Sequence, residues 1–133
     1  KRVSEVETDI QVLVDGEMLE TPIVPQMVNN RTMLPMRAIF ESLGAKVEWM
    51  EEDRIIFATK GETLITLKIG FDKMSVQKIS SDENLAVVLE VAPFITNNHT
   101  LVPARAVSEA FNAKVDWIRE TRTVIIKTAD EEK

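Results

Sequence analysis

Hydrophobic and polar positions along this chain repeat with two periods, and the changes of period mark out its elements. Ile10, Val12 and Val14 alternate with Gln11 and Leu13, the spacing of a half-buried strand. Asp15-Gly16 predicts a turn and Met18-Leu19 the start of a return strand. Pro22 and Pro25 make the next stretch extended and irregular, because proline gives a sheet interior no backbone donor. Gln26-Met27-Val28 predicts a short strand. Asn29-Asn30 predicts a tight turn, since asparagine tolerates the left-handed backbone region. Leu34 precedes a proline and is extended. From Pro35 the period lengthens: Met36, Ile39, Phe40 and Leu43 share one face of a helix over 35–43, with Pro35 as its first residue. Gly44 suits the left-handed position that ends it. The two-residue period then returns, with Val47 and Trp49 inward. Further strands are expected over 54–59 and 64–69, separated by Gly61-Glu62 and stopped at Gly70.

The stretch from Asn29 to Arg54 then recurs. Asn97 lies 68 residues after Asn29, and without gaps thirteen of the twenty-six positions are identical. Pro35 meets Pro103, Arg37 meets Arg105, Glu41 meets Glu109 and Trp49 meets Trp117. This is an internal repeat. It predicts a second turn at Asn97-Asn98, a helix near 103–111 closed at Asn112, and strands near 114–118 and 123–127. Between the copies, a weak strand over 71–76, a polar loop over 80–84 and an apolar strand over 85–91 are expected. The organisation is thus a linker over 1–8, repeats over 9–70 and 71–128, and a linker over 129–133.

Composition narrows the chemistry. The 133 residues carry a net charge of −6, with sixteen basic side chains scattered among twenty-two acidic ones, which argues against nucleic acid as a partner. There is no cysteine, so disulfides, thiolate catalysis and cysteine zinc sites are excluded. No apolar run is long enough to span a membrane, and no targeting segment is visible at Lys1.

Arg37 and Arg105 stand near helix N-termini, where a cation opposes the helix dipole by roughly 0.3–1 kcal/mol. Both copies keep the arginine and a glutamate four residues on, Glu41 and Glu109. The functional reading is an arginine that binds a carboxylate or sugar. The structural reading, an arginine pinning its own glutamate and loop carbonyls, is favoured because duplication points to the shared fold. Trp49 and Trp117 alternate in phase with Val47 and Val115 and are assigned to the core rather than to an exposed sugar platform. Glu51-Glu52-Asp53 and Asp82-Glu83-Asn84 lack the ligand spacing of a calcium loop and read as solvated loops. His99, the single histidine, occupies a turn position held by Arg31 in the first copy. Ser42 and Ser108 have no candidate base. The copies differ most at Met36 and Phe40, which become Ala104 and Ser108. Either the first helix is buried on two sides, the favoured reading, or Met36 and Phe40 form a contact patch together with Arg31 and His99.

At these residues the chain resembles the copper amine oxidase N-terminal-like, or stalk, domain family. The resemblance rests on Asn29, Arg31, Thr32, Pro35, Arg37, Ala38, Glu41, Ala45, Lys46, Val47 and Trp49. It recurs at Asn97, Thr100, Pro103, Arg105, Ala106, Glu109, Ala113 to Val115 and Trp117. It implies an α+β fold, an antiparallel sheet wrapped around a helix and duplicated in tandem with one helix per repeat. It also implies a secreted or cell-envelope module of Gram-positive-type bacteria, attached to other extracellular domains. The copper and quinone chemistry in the family's name needs a tyrosine beside three histidines, and this chain has no tyrosine and one histidine. No cofactor and no metal site are therefore expected, and Arg37, Glu41, Trp49, Arg105, Glu109 and Trp117 read as structural motif residues.

The leading expectation is a non-catalytic stalk or interaction module, extracellular or cell wall-associated. Its partners would be other domains of its own polypeptide or cell-envelope components. The alternative is a module binding cell-wall polysaccharide. An enzyme would need a polar cleft with convergent acid and base groups.

Overall fold

The computed structural model describes residues 10–128. The linkers expected over 1–8 and 129–133 lie outside the described residues. The chain opens with β1 (Gln11–Val14) and β2 (Glu17–Met18). A hairpin of β3 (Gln26–Val28) and β4 (Arg31–Pro35) then leads into α1 (Met36–Ser42). β5 (Lys46–Met50), β6 (Ile55–Lys60), β7 (Thr63–Lys68), β8 (Lys73–Lys78) and β9 (Asn84–Val88) form a meander. The pattern hairpin, helix and two strands returns as β10 (Phe94–Thr96), β11 (His99–Pro103), α2 (Ala104–Ala110), β12 (Lys114–Ile118) and β13 (Thr123–Lys127). Among the described residues the class is α+β, mostly sheet with two helices.

Local chemistry sets these boundaries. Asn29 and Asn30 take φ of 50° and 64°, and Asn97 and Asn98 take 50° and 65°, so each pair reverses the chain in the left-handed region. Gly44 (φ 87°) and Asn112 (φ 68°) end the helices in that same region. Pro35, expected as the first helical residue, is instead the N-cap, with ψ 132°. Its carbonyl still belongs to the extended β4, so the strand runs directly into the helix.

Three sheets result, in the orders β12-β13-β1-β2, β10-β11-β4-β3 and β5-β6-β7-β8-β9. Each draws strands from both sides of residue 70. In the central one, β4 and β11 run antiparallel with Leu34 opposite Val102, positions 68 residues apart, so the two hairpins face each other about a local two-fold. The sheet was expected to be antiparallel throughout. β1 instead runs parallel to β13, with Gln11 beside Thr123 and Val14 beside Ile126. The join is fastened beyond its end: Asp15 accepts from the Thr128 amide (2.9 Å) and from its hydroxyl (2.6 Å).

One apolar core fills the interior and contains Ile39, Phe40 and Ile65 together with Val107, Phe111 and Ile126. Phe40 meets Phe111 edge to face, ring centroids 6.1 Å apart, a geometry worth about 0.5–1.5 kcal/mol beyond the area buried. Phe40 is 0% exposed and Met36 7%, so this face of α1 is buried. The wider apolar face of α1 is buried against the other half of the chain, where α2 offers only Ala104 and Ser108 in return.

Candidate functional site

The exposed face of α1 borders an open cleft of about 480 Å³. Pro35, Met36 and Ala38 line its helical side, and Arg37 and Glu41 stand on the same helix. Trp49 comes from β5, Asn98 from the β10–β11 turn, His99 and Thr100 from the start of β11, and Glu20 and Pro22 from the segment after β2. Each placement follows from local structure. Arg37 and Glu41 are four residues apart, hence on one face of the helix. The left-handed turn at Asn97-Asn98 swings His99 towards that face. β5 leaves the Gly44 cap and brings Trp49 alongside.

Trp49 is half-buried, and its indole N–H donates to Glu51 Oε1 at 2.8 Å, which fixes the ring. Arg37 and Glu41 are exposed, and no hydrogen bond or ion pair joins them among the described residues. The expected pairing of this arginine with its own glutamate occurs in the other helix, where Arg105 Nη1 donates to Glu109 Oε2 at 3.1 Å. Trp117, assigned to the core on its alternation with Val115, is instead 36% exposed. It lies near the far end of β12, an edge strand, where the core no longer reaches it. Arg31 is ion-paired with Glu90 and also donates to the Asn30 carbonyl at 3.3 Å, so it does not join His99 in the cleft.

The cleft therefore gathers Arg37, Glu41, Trp49, Met36 and His99, and leaves out Phe40, Arg31, Arg105, Glu109 and Trp117. Sequence reasoning did not mark Glu20 and Pro22. Their one signal is the 68-residue offset, which sets Pro22 against Glu90 and Glu20 against Val88. Chemically the cleft offers a fixed aromatic ring, a guanidinium, two carboxylates, an imidazole and an amide. That set suits stacking and hydrogen bonding to a ligand. Of the two serines weighed from sequence, Ser42 donates to the Ile39 carbonyl at 2.8 Å, and the Ser108 hydroxyl is buried without a partner among the described residues. Among the described residues no group of three or more histidine, cysteine or acidic side chains is placed to hold a metal.

Asp15 lies at the β1–β13 join. The hydroxyl and then the amide of Thr128 hold its carboxyl below the ordinary value.

A family model described as Copper amine oxidase N-terminal domain matches residues 13–126. A protein of Brevibacillus choshinensis described as a protease inhibitor is 27% identical over 127 residues, which is 96% of this chain. The chain spans 37% of that relative's length.

Proposed function

This chain belongs to the copper amine oxidase N-terminal domain family, and we propose that it is a non-catalytic interaction module that docks a partner polypeptide in the cleft beside α1. The family is that of a non-catalytic domain. The observation that carries the proposal is the meeting of Arg37, Glu41 and Trp49 with His99 from the opposite hairpin in one open cleft. The residues do not fit the copper chemistry in the family's name, since the chain has one histidine and no tyrosine. The relative described as a protease inhibitor supports a role exerted by contact with a protein. In this reading the 68-residue recurrence is an internal duplication. The module works outside the cytoplasm, next to other domains of its polypeptide or to cell-envelope components, a placement that rests on the family resemblance.

A second reading has one observation in its favour. A ring held beside Arg37, Glu41 and Asn98 is also an arrangement that can stack on a sugar and bond its hydroxyls, which suits a cell-wall polysaccharide.

Fluorescence of Trp49, isolated by Trp117→Phe, separates the two. The chain is titrated with soluble cell-wall polysaccharide, with a panel of proteases and with the domains encoded beside it. A saturable change with a polypeptide, lost in Arg37→Ala and His99→Ala, is the expected result. Saturation by the polysaccharide establishes the second reading instead. No response to any of the three, or chemical conversion of a titrant, overturns both.

A further inference from the structure

The meander ends in an edge that the cleft does not use. β9 is the outer strand of its sheet, and its sequence Asn-Leu-Ala-Val-Val carries no charge. Leu85 is 63% exposed and Val88 68%. The backbone register shows which groups are free. The Lys78 amide donates to the Glu83 carbonyl and the Leu89 amide to the Asp72 carbonyl. Both lie on the β8–β9 register that sets Val76 opposite Leu85 and Met74 opposite Val87. Hydrogen-bonded and non-bonded positions alternate in an antiparallel pair. Residues 83, 85, 87 and 89 therefore turn their amides and carbonyls towards β8, and Asn84, Ala86 and Val88 turn theirs outward.

We infer that β9 is a docking edge for an extended segment of another polypeptide, apolar at alternate positions and basic at its ends. Such a segment adds a strand to the sheet through the outward groups of Asn84, Ala86 and Val88. Its apolar side chains cover Leu85. The charge preference comes from the flanks, Asp82 and Glu83 on one side and Glu90 on the other. Lys78 stands across from Glu83 and makes no ion pair with it among the described residues. Glu90 is shared with Arg31, so the basic requirement is stronger at the Asp82–Glu83 end. The same acids disfavour a second copy of this chain. The antiparallel register that pairs all of β9 with itself sets Asp82 opposite Glu90 at both ends, and like charges directly opposite are destabilising. This surface is separate from the cleft, and its test is independent of it.

The probe is a synthetic peptide of about nine residues, alternating isoleucine and threonine between terminal lysines, the length that covers β9 and its acidic flanks. Amide shifts of Asn84, Ala86 and Val88 report binding. Ala86→Pro removes one outward amide and leaves the β8 ladder intact, since an edge strand accepts proline where its donor faces solvent. It should weaken binding about tenfold, the worth of one well-made hydrogen bond. Raising salt, or exchanging the peptide lysines for glutamates, should weaken it further. An unchanged thermal midpoint shows that Ala86→Pro is folded; if the midpoint falls, Ala86→N-methylalanine made by ligation replaces it. The inference fails if the peptide does not bind, if loss of the Ala86 amide leaves affinity unchanged, or if this edge instead drives the chain to self-associate.

Discussion

The stretches over 26–60 and 94–127 share a backbone and use it differently. Both have an asparagine turn, a strand running into a seven-residue helix, a left-handed helix end and an antiparallel pair of strands. In the first, the inner helix face carries Met36 and Phe40, and the outer face leaves Arg37 and Glu41, among the described residues, without an ion pair between them beside Trp49. In the second, the inner face carries Ala104 and Ser108, and Arg105 closes on Glu109. Turn positions differ in the same sense, Arg31 held by Glu90 while His99 lines the cleft. The difference teaches that similar scaffolds can divide the work. One helix supplies volume to the core and open polar groups to a cleft, and the other makes room for that volume and ties up its own charges.

The largest test of this division is Phe40→Ala. It removes the ring that packs on Phe111 and should cost about 3–5 kcal/mol in denaturant unfolding. A cost below about 1 kcal/mol, the size of an ordinary surface change, would show that α1 is not the one supplying core volume. The corresponding change in the second helix should act the other way. Ser108→Ala removes a buried hydroxyl that has no partner among the described residues and should raise stability by about 1 kcal/mol, read from the urea midpoint. A loss would mean that the hydroxyl is satisfied and that the inner faces are more alike than described.

The smallest effect concerns how the two halves complete their sheets. β6 is joined by β7 antiparallel, whereas β13 is joined by β1 parallel, fastened by Asp15. The folded chain holds the Asp15 carboxyl below the ordinary aspartate value of 3.8, chiefly through the Thr128 hydroxyl. Its contribution is therefore present above that value and lost as pH falls through the folded one. Asp15→Asn keeps a residue that tolerates φ 52° and removes the charge. The thermal midpoint of the variant should fall slightly below the parent at neutral pH, and the gap should close as pH falls through the lowered folded value. A gap independent of pH would assign the effect to geometry alone.

Much of this was legible in the sequence, for local reasons. Asparagine pairs fixed the turns, Gly44 and Asn112 the helix ends, and the 3.6 and 2 periods the helices and most strands. The volume difference between Phe40 and Ser108 favoured burial of the apolar face of α1, and Met36, Ile39 and Phe40 are buried. The rest depends on distant partners. Nothing in Gln11–Val14 says that its neighbour is Thr123–Lys127, or that the pair is parallel. Alternation put Trp117 on the same face as Val115 but could not say that the core stops short of it. Arg37, Glu41 and Trp49 read as scaffold because they recur, and Trp49 packs against the core. What sets the first copy apart is His99, carried to it by the other hairpin.

The parallel join of β1 and β13 also has a mechanical meaning. A pull on residue 10 draws β1 back along its own axis, and a pull on residue 128 draws β13 forward along the same line. The two strands are then loaded in shear. Their evenly spaced hydrogen bonds share the force together rather than opening one after another, and the Asp15–Thr128 contacts lie along the same load path. Force applied between residues 10 and 128 would therefore load this join before the sheets that carry the cleft and the open edge.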